Sequence, residues 1–292
     1  DSAYETALEF KKQGIDPIIL DTREEHSSEL IDSVKNQNIK IRFSYAIIAA
    51  NGYKKVQSAL IGKLNKDKSA FENSETIQCD CICVSGFWTP TVHLASQSGN
   101  KLKFDDQIDA FVPDKSKQNE TSVGASKGTF TLKDTLDDGF KTGFDLSKKI
   151  TNNNNSTLPP NVNEIKKNPH DKFWCSPLPK DKNFKRFVDF QNDVAVSDIE
   201  IALREGYRSI EHVKRYTTLG MATDQGRTSN LNGLQLVANV EKKIVPQVGH
   251  TTFRPPFTPI TIGTIVGREV NMEYMPTRKT PMHSWHKKNN AV

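Results

Sequence analysis

Near the start of the chain, apolar residues fall into two alternating spacings. Ala3, Tyr4, Ala7, Leu8 and Phe10 recur at the intervals of one helix face, and Gly14 closes that helix. The compact run DPIILD predicts a buried strand ending at Asp21. ELIDSVKNQ predicts a second helix and IKIRFSYAIIAA a further strand. NGYKKVQSALIG reads as a hairpin turning on Asn51 and Gly52, KLNKDKSAFENSE as a polar loop, and IQCDCICVSG as another buried strand. Strand and helix alternating in this way predict an α/β sheet.

Farther along, GFWTPTVHLASQSGNKLKFDDQIDAFVPD is turn-rich, with Trp88 and Pro90 among interleaved aromatics. SVGASKGTF predicts a strand running into a glycine-rich turn and then a helix. Backbone N–H groups at such a turn favour phosphate, and Gly124, Ala125 and Gly128 would let a ligand approach the backbone closely. A plain tight turn fits the same residues. The Asn-rich stretch TNNNNSTLPPNVNEIKKN has two prolines and almost no apolar residues, and it predicts a linker over 151–170. Beyond it, residues 184 to 243 read as helical. Ser197 is the expected cap of the first helix, with Glu200 three places on. Gly206 is its stop, a second helix begins near Ile210, and a third runs from Asn230 to Glu241. The polar, glycine-containing loop KRYTTLGMATDQGRTSN joins the last two. A Pro-rich arm, TTFRPPFTPITIGTIVG, precedes the final NMEYMPTRKTPMHSWHKKNN.

Composition narrows the function classes. No apolar run approaches the roughly 18 to 20 residues of a membrane span. The net charge of +5, from 40 basic and 35 acidic residues, is spread along the chain rather than gathered into a nucleic-acid-binding face. With no secretory leader, and with a first residue already in mid-helix sequence, the expectation is an internal piece of a longer cytoplasmic protein. Cys79, Cys81 and Cys83 would share one face of a strand. They read as buried free thiols or, less economically, as metal ligands lacking a fourth partner. Asp21 stands where an acid can bond a dinucleotide ribose; a helix-capping or surface aspartate is the other reading. His283 and His286 have metal-like spacing but equally suit a turn. No nucleophile triad or acid–base pair is visible, so no catalytic residue is assigned.

Several long stretches carry a family resemblance. They are VSGFWTPTVHLASQSGNKLKFD (84–105), SVGASKGTFTL (122–132), FVDFQNDVAVSDIEIALREGYRSIEHVKRYTTLGMATDQGRTSNLNG (187–233), TTFRPPFTPITIG (251–263) and RKTPMHSWH (278–286). Together they resemble the alpha subunit of heterotetrameric bacterial sarcosine oxidases. The resemblance implies part of a two-dinucleotide-domain, disulfide-reductase-like region over 1–150, of the pyridine-nucleotide or flavin type. A linker over 151–170 would lead to a small helical domain over 171–245. The arm and the start of an aminomethyltransferase-like folate domain would fill 246–292.

That helical domain is similar to the small domain of bacterioferritin-associated ferredoxins. Their cluster is held by a C-x-C pair before the first helix and a C-x-x-x-x-C pair after the second. Here Asp189 and Gln191 stand at the first pair, and Asp224 and Ser229 at the second. Iron–sulfur clusters need thiolates, so no cluster is expected, and side-chain hydrogen bonds would hold the loop instead.

The resemblance further implies a subunit of an enzyme that demethylates sarcosine oxidatively to glycine, yielding peroxide and 5,10-methylenetetrahydrofolate. FAD would lie in the beta subunit, FMN at the alpha/beta interface and tetrahydrofolate in a C-terminal domain outside this chain. Gamma and delta subunits would complete the heterotetramer. NAD would contact Gly124, Ala125, Phe130, Thr131 and Leu132. The acid that disulfide reductases place after this glycine for FAD is absent here, which fits a different nucleotide. Lys214, Arg215, Thr217, Thr218 and Arg227 would form an FMN wall, as cations and hydroxyls suited to phosphate; a solvated helix end is the alternative. Two rival functions remain: a subunit of an opine or cyanide-forming amino-acid dehydrogenase, and a non-catalytic scaffold module.

Overall fold

The computed structural model describes residues 1–86, 88–151, 159–162, 171–179, 184–255, 257–270 and 278–291. The expected linker over 151–170 lies largely outside them. The chain divides into two compact units, Asp1–Phe253 and Arg254–Val292.

The first unit opens as its apolar spacing predicts. Helix α1 (Ser2–Lys12), strand β1 (Ile18–Asp21), helix α2 (Glu29–Asn36) and strand β2 (Lys40–Phe43) follow in order, and β1 pairs with β2 in parallel. The Ser28 hydroxyl caps α2 by accepting the Ile31 N–H. Tyr4, Ala7, Ile19, Ile31, Val34 and Ile39 bury one common core between the helices and this strand pair. Asp21 is neither exposed nor a helix cap. It is buried at the end of β1 and accepts the Tyr4 hydroxyl at 2.6 Å and the Arg23 guanidinium at 2.8 Å. Burial alone would raise its pKa; the bonds from Arg23 and Tyr4 outweigh that and hold the carboxylate below its usual range.

Ser44, at φ 59°, breaks the long predicted strand, so that β3 (Tyr45–Gly52) begins a separate sheet. It is antiparallel, in the order β3, β4 (Val56–Leu64), β5 (Phe71–Gln78). The hairpin is present as predicted, but Asn51 and Gly52 end β3 and the turn lies over 53–55. Strand β5 corrects two expectations. Its polar sequence, FENSETIQ, has the composition of a loop, yet it is an edge strand whose charges face solvent; Glu72 pairs with Lys63 at 3.0 Å. The apolar run after it is not a strand: Cys79 is half-buried, and Cys81 and Cys83 are exposed.

Next come helix α3 (His93–Gln97) and the hairpin of β6 (Leu102–Asp105) and β7 (Ala110–Pro113). Residues 124–126 form a single 3-10 turn with no strand before it, and helix α4 (Leu132–Thr151) follows. A short antiparallel pair, β8 (Phe187–Asp189) and β9 (Val194–Ala195), then stands where helix was expected. It feeds α5 (Val196–Arg204), α6 (Ile210–Thr217), α7 (Asn230–Glu241) and α8 (Val245–Val248). The cap of α5 is Ala195, not Ser197: its N–H is taken by the Asp198 carboxylate at 2.8 Å, and Ser197 lies inside the helix. Val194, Ile199, Leu203, Val213, Leu219 and Val237 form the centre of this core, and the rings of Phe104 and Phe111 pack against it from the β6–β7 hairpin.

In the second unit, helix α9 (Ile262–Val266) is capped by Thr261, and helix α10 (His283–Lys288) carries His283 and His286. These histidines therefore sit on a helix rather than a turn. Among the described residues no group of three or more His, Cys, Asp or Glu is placed to hold a metal, and no helix is long and apolar enough to cross a membrane.

Candidate functional site

The loop between α6 and α7 is built around one buried carboxylate. Asp189, at the end of β8, is 2% exposed. Its Oδ1 accepts the N–H groups of Gln191 at 3.0 Å and Asn192 at 3.4 Å; its Oδ2 accepts the Gly220 N–H at 2.8 Å and the Ser229 hydroxyl at 3.4 Å. A buried charge is tolerable only with such donors around it. Two of the four positions that resemble cluster ligands, Asp189 and Ser229, thus meet directly. Asp224 turns into its own loop and accepts the Gly226 N–H at 3.1 Å, while the Gln191 side chain is exposed.

Two glycines make this closure possible. Gly220 and Gly226 adopt φ of 64° and 76°, and a Cβ on either would overlap the Asn230 side chain. Asn230 is buried, and its Nδ2 donates to the Gln225 carbonyl at 2.9 Å. The loop is fastened at its base by oxygen and amide groups that suit protons rather than iron. The donor set does not fit a 2Fe–2S cluster.

Of the residues expected to face FMN, Arg215 bonds the Glu211 carbonyl at 2.8 Å and its carboxylate at 3.0 Å. The Thr217 hydroxyl donates to the Val213 carbonyl at 2.8 Å and accepts the Leu219 N–H at 3.2 Å. Thr218 is the left-handed C-cap of α6, and its hydroxyl donates to the Thr217 carbonyl at 2.5 Å. Lys214 and Arg215 lie in the last helical turn, where cations complement the negative end of the helix dipole. Arg227 sits in the loop itself, exposed, and its charge reaches His93 at the start of α3. Of this group, Arg227 is the one carried by the loop between the two helices.

His93 carries no motif that would single it out in the sequence. Burial, and then the positive charge of Arg227, hold its imidazole below the usual pKa of 6.5, so it is neutral at neutral pH. Its only sequence trace is its place inside a long family-like stretch. Two residues before His93, the Thr91 N–H donates to the Ala125 carbonyl, in the 3-10 turn, at 3.4 Å.

At that turn the Gly124 N–H is already engaged. It donates to Asp138 Oδ2 at 3.0 Å, while Lys127 Nζ donates to Oδ1 at 2.8 Å. The Lys127 bond, helped by the Gly124 N–H, holds the Asp138 carboxyl below its ordinary pKa. Gly124 has φ 61°, and a Cβ there would press on the Thr135 methyl. Thr131 caps α4 by accepting the Asp134 N–H at 3.1 Å. Phe130 and Thr131 are half-buried and the Leu132 side chain is exposed. A carboxylate occupies the place of an anion here, so the turn fits the hydroxyls of a ribose better than a phosphate.

Comparison with known proteins finds relatives of this chain among subunits named as oxidases. The model of the sarcosine oxidase A3 domain matches residues 183–268, which include the whole Asp189-centred loop. The chain is a homologue of sarcosine oxidase alpha subunits along its whole length. It is 32% identical to the subunit of Rhizobium meliloti (strain 1021) over 100% of its residues, and 31% identical to that of Corynebacterium sp. (strain P-1) over 98%. It covers 28% and 30% of those proteins, less than a third of their length. The crystal structure of L-proline dehydrogenase from P. horikoshii shares the fold, with a TM-score of 0.56 and 17% identity over 86% of this chain and 50% of that one.

Proposed function

We propose that this chain is the part of a sarcosine-oxidase-type alpha subunit that holds a nucleotide and presents a flavin-facing loop to partner subunits. The observation that carries this reading is the Asp189–Gly220–Ser229 closure. It fastens the loop at its base through side-chain and backbone hydrogen bonds, without a cluster. The proposed organisation is a dinucleotide-binding region over 1–150, a helical A3-type domain over 171–245, and an arm leading towards a folate domain from 246 onward. The whole enzyme would oxidise the N-methyl group of sarcosine in the cytoplasm, in a complex with beta, gamma and delta subunits.

In this scheme the chain binds and orients. Thr131 and the backbone at Ala125 border the nucleotide ribose, with Phe130 and Leu132 as apolar contacts. Gly124 keeps the turn tight through Asp138. Arg227 is the cation offered to the FMN phosphate. Lys214, Arg215, Thr217 and Thr218 shape the loop that carries it, and the neutral His93 lies within reach of its charge without adding one. FMN, when bound, supplies electron transfer to oxygen; amine oxidation belongs to the FAD-bearing partner, and none of its residues is placed in this chain.

The experiment is cofactor analysis of the purified complex, with iron and sulfide measured on the same sample. FAD, FMN and NAD without iron agree with the proposal. Stoichiometric iron and sulfide overturn it in favour of an opine or cyanide-forming dehydrogenase subunit. Absence of all three cofactors leaves only a scaffold. In the same complex, Arg227→Ala is expected to lower FMN content by about tenfold while NAD content is unchanged.

A further inference from the structure

Two separate fastenings act on the α6–α7 loop. The Asp189 carboxylate holds its two ends, through the Gly220 N–H and the Ser229 hydroxyl. Neither bond reaches the stretch between them, 221–228. Within that stretch Asp224 accepts the Gly226 N–H at 3.1 Å and the Thr228 hydroxyl at 3.4 Å, both close in sequence. The Asn230 side chain ties this stretch back to the base. Asn230 is the first residue of α7 and is 8% exposed. Its Nδ2 donates to the Gln225 carbonyl at 2.9 Å. Its Oδ1 is buried and accepts no N–H or O–H hydrogen bond among the described residues. A buried acceptor without a donor calls for a reason.

The two glycines supply it. The orientation of the amide is settled, because turning it over would set Oδ1 against the Gln225 carbonyl, two acceptors together. A Cβ on Gly220 or on Gly226 would overlap this same oxygen. On each glycine a Cα hydrogen takes that place and faces Oδ1, a weak C–H···O contact from either side. The glycines close around the amide: a Cβ on Gly220 would also lie 3.3 Å from the Gly226 Cα. Helix α7 does not itself require asparagine. The N–H groups of Ser229 and Asn230 both bond the Gly226 carbonyl, at 3.2 and 2.8 Å, and asparagine is a weak helix former. The side chain acts instead on Gln225 and Gly226, the two residues that precede Arg227.

We propose that Asn230 is the positioning residue of this loop, which fixes Arg227 by holding Gln225 and Gly226 against Gly220; what Arg227 then meets, the FMN phosphate, rests on the function proposed above. Asn230 itself touches no ligand. An alanine in its place would leave the Gln225 carbonyl without its donor and would open the space between the two glycines. The base would stay closed through Asp189, and Arg227 would lose its place. Arg227 reports that place itself. Burial lowers the His93 pKa, and the Arg227 charge lowers it further. A displaced Arg227 therefore shows at His93 whether or not a flavin is bound.

The test uses the subunit as its gene encodes it, in complex with its partners and carrying isotope-labelled histidine. The His93 resonance is assigned by its loss in His93→Gln. The His93 titration and the Kd for FMN are measured in the unaltered complex, in Asn230→Ala, in Arg227→Ala and in the double variant. Asn230→Ala is expected to move the His93 pKa up towards 6.5, as Arg227→Ala does, and to weaken FMN binding by about tenfold. The double variant should match Arg227→Ala in both readings, because nothing is left to position. An unaltered His93 titration in Asn230→Ala overturns the proposal. So does an equal loss of FMN affinity with and without Arg227, the mark of a purely structural asparagine. A titration that ignores Arg227→Ala also overturns it, since Arg227 is then not held within reach of His93. If Arg227→Ala leaves FMN binding unchanged, the flavin role of Arg227 fails instead, and the His93 titration alone decides Asn230. Should α5 to α7 lose hydrogen-exchange protection in Asn230→Ala, Gly226→Ala takes its place. Its Cβ displaces an intact amide, so the same shift at His93 is expected and an unaltered titration overturns the proposal.

Discussion

Two stretches of this chain carry similar amphipathic sequence and use it in opposite ways. In α5, α6 and α7 the apolar faces meet, and Ile199, Leu203, Val213 and Val237 are at most 2% exposed. In α4 an equally clear apolar stripe covers no core. The difference lies in the segment that succeeds each helix. Short connections return α6 and α7 onto α5, so the partner of each face is local in sequence. Helix α4 runs into an Asn-rich segment, and among the described residues no helix covers its stripe. Amphipathicity shows that a face wants a partner; connectivity decides whether the partner is near.

The largest test of that contrast is Leu203→Ala. Leu203 is 2% exposed at the centre of the helical core. Its truncation is expected to cost about 3 kcal/mol, measured by urea denaturation. A loss below about 1 kcal/mol would mean that this core is no better packed than the surface of α4.

Asp189→Ala comes next, at about 2 to 3 kcal/mol. The cost arises less from the lost bonds than from the Gly220 N–H, which would be left buried without an acceptor. Hydrogen exchange should speed up at Gly220 and over 217–229 while α1 and α2 stay protected. If exchange changes equally everywhere, the carboxylate is not a local fastening of the loop. Ser229→Ala, which removes a single 3.4 Å bond to Asp189, should cost less.

Much of this architecture is legible in the sequence, and the departures have physical reasons. The bounds of α7 follow from its apolar spacing, and α1, β1 and α2 from theirs, because local pattern and tertiary burial agree there. The cap of α5 departs from its sequence signature because Asp198 bonds back to the Ala195 N–H, a contact that makes Ser197 unnecessary. Strand β5 is hidden because an edge strand with solvent-facing glutamates has the composition of a loop. The cysteine run has the pattern of a buried strand, but a pattern cannot supply the neighbouring strands. At the candidate site, Asp189 and Ser229 are legible as positions in a family-like motif. Their direct contact is not, because it joins residues 40 apart. His93 is invisible in the sequence, since its significance rests on Arg227, which is brought to it by folding.

His93 allows a smaller test through pH. Its folded pKa lies below the ordinary histidine value of 6.5, so between the two values the unfolded chain binds more protons than the folded one. Stability at this site is therefore fully present above about 6.5 and declines as pH falls below it, levelling off beneath the folded pKa. His93→Gln should remove that part of the slope, and Arg227→Ala should reduce it by relieving the repulsion. An unchanged stability–pH profile in both variants would show that Arg227 and His93 do not interact.

The smallest expected effect returns to α4. Phe140 is 36% exposed and belongs to no buried cluster. In a protein limited to these 292 residues, Phe140→Ala should change stability by no more than about 0.5 kcal/mol, because little apolar surface leaves water when the ring packs. Leu203 and Phe140 would then differ severalfold in cost although both are large apolar residues on amphipathic helices. A loss that small would agree with a ring that covers no core in these residues. A loss near about 3 kcal/mol would instead show that the ring is covered from within these residues, and the contrast between the two helical regions would disappear.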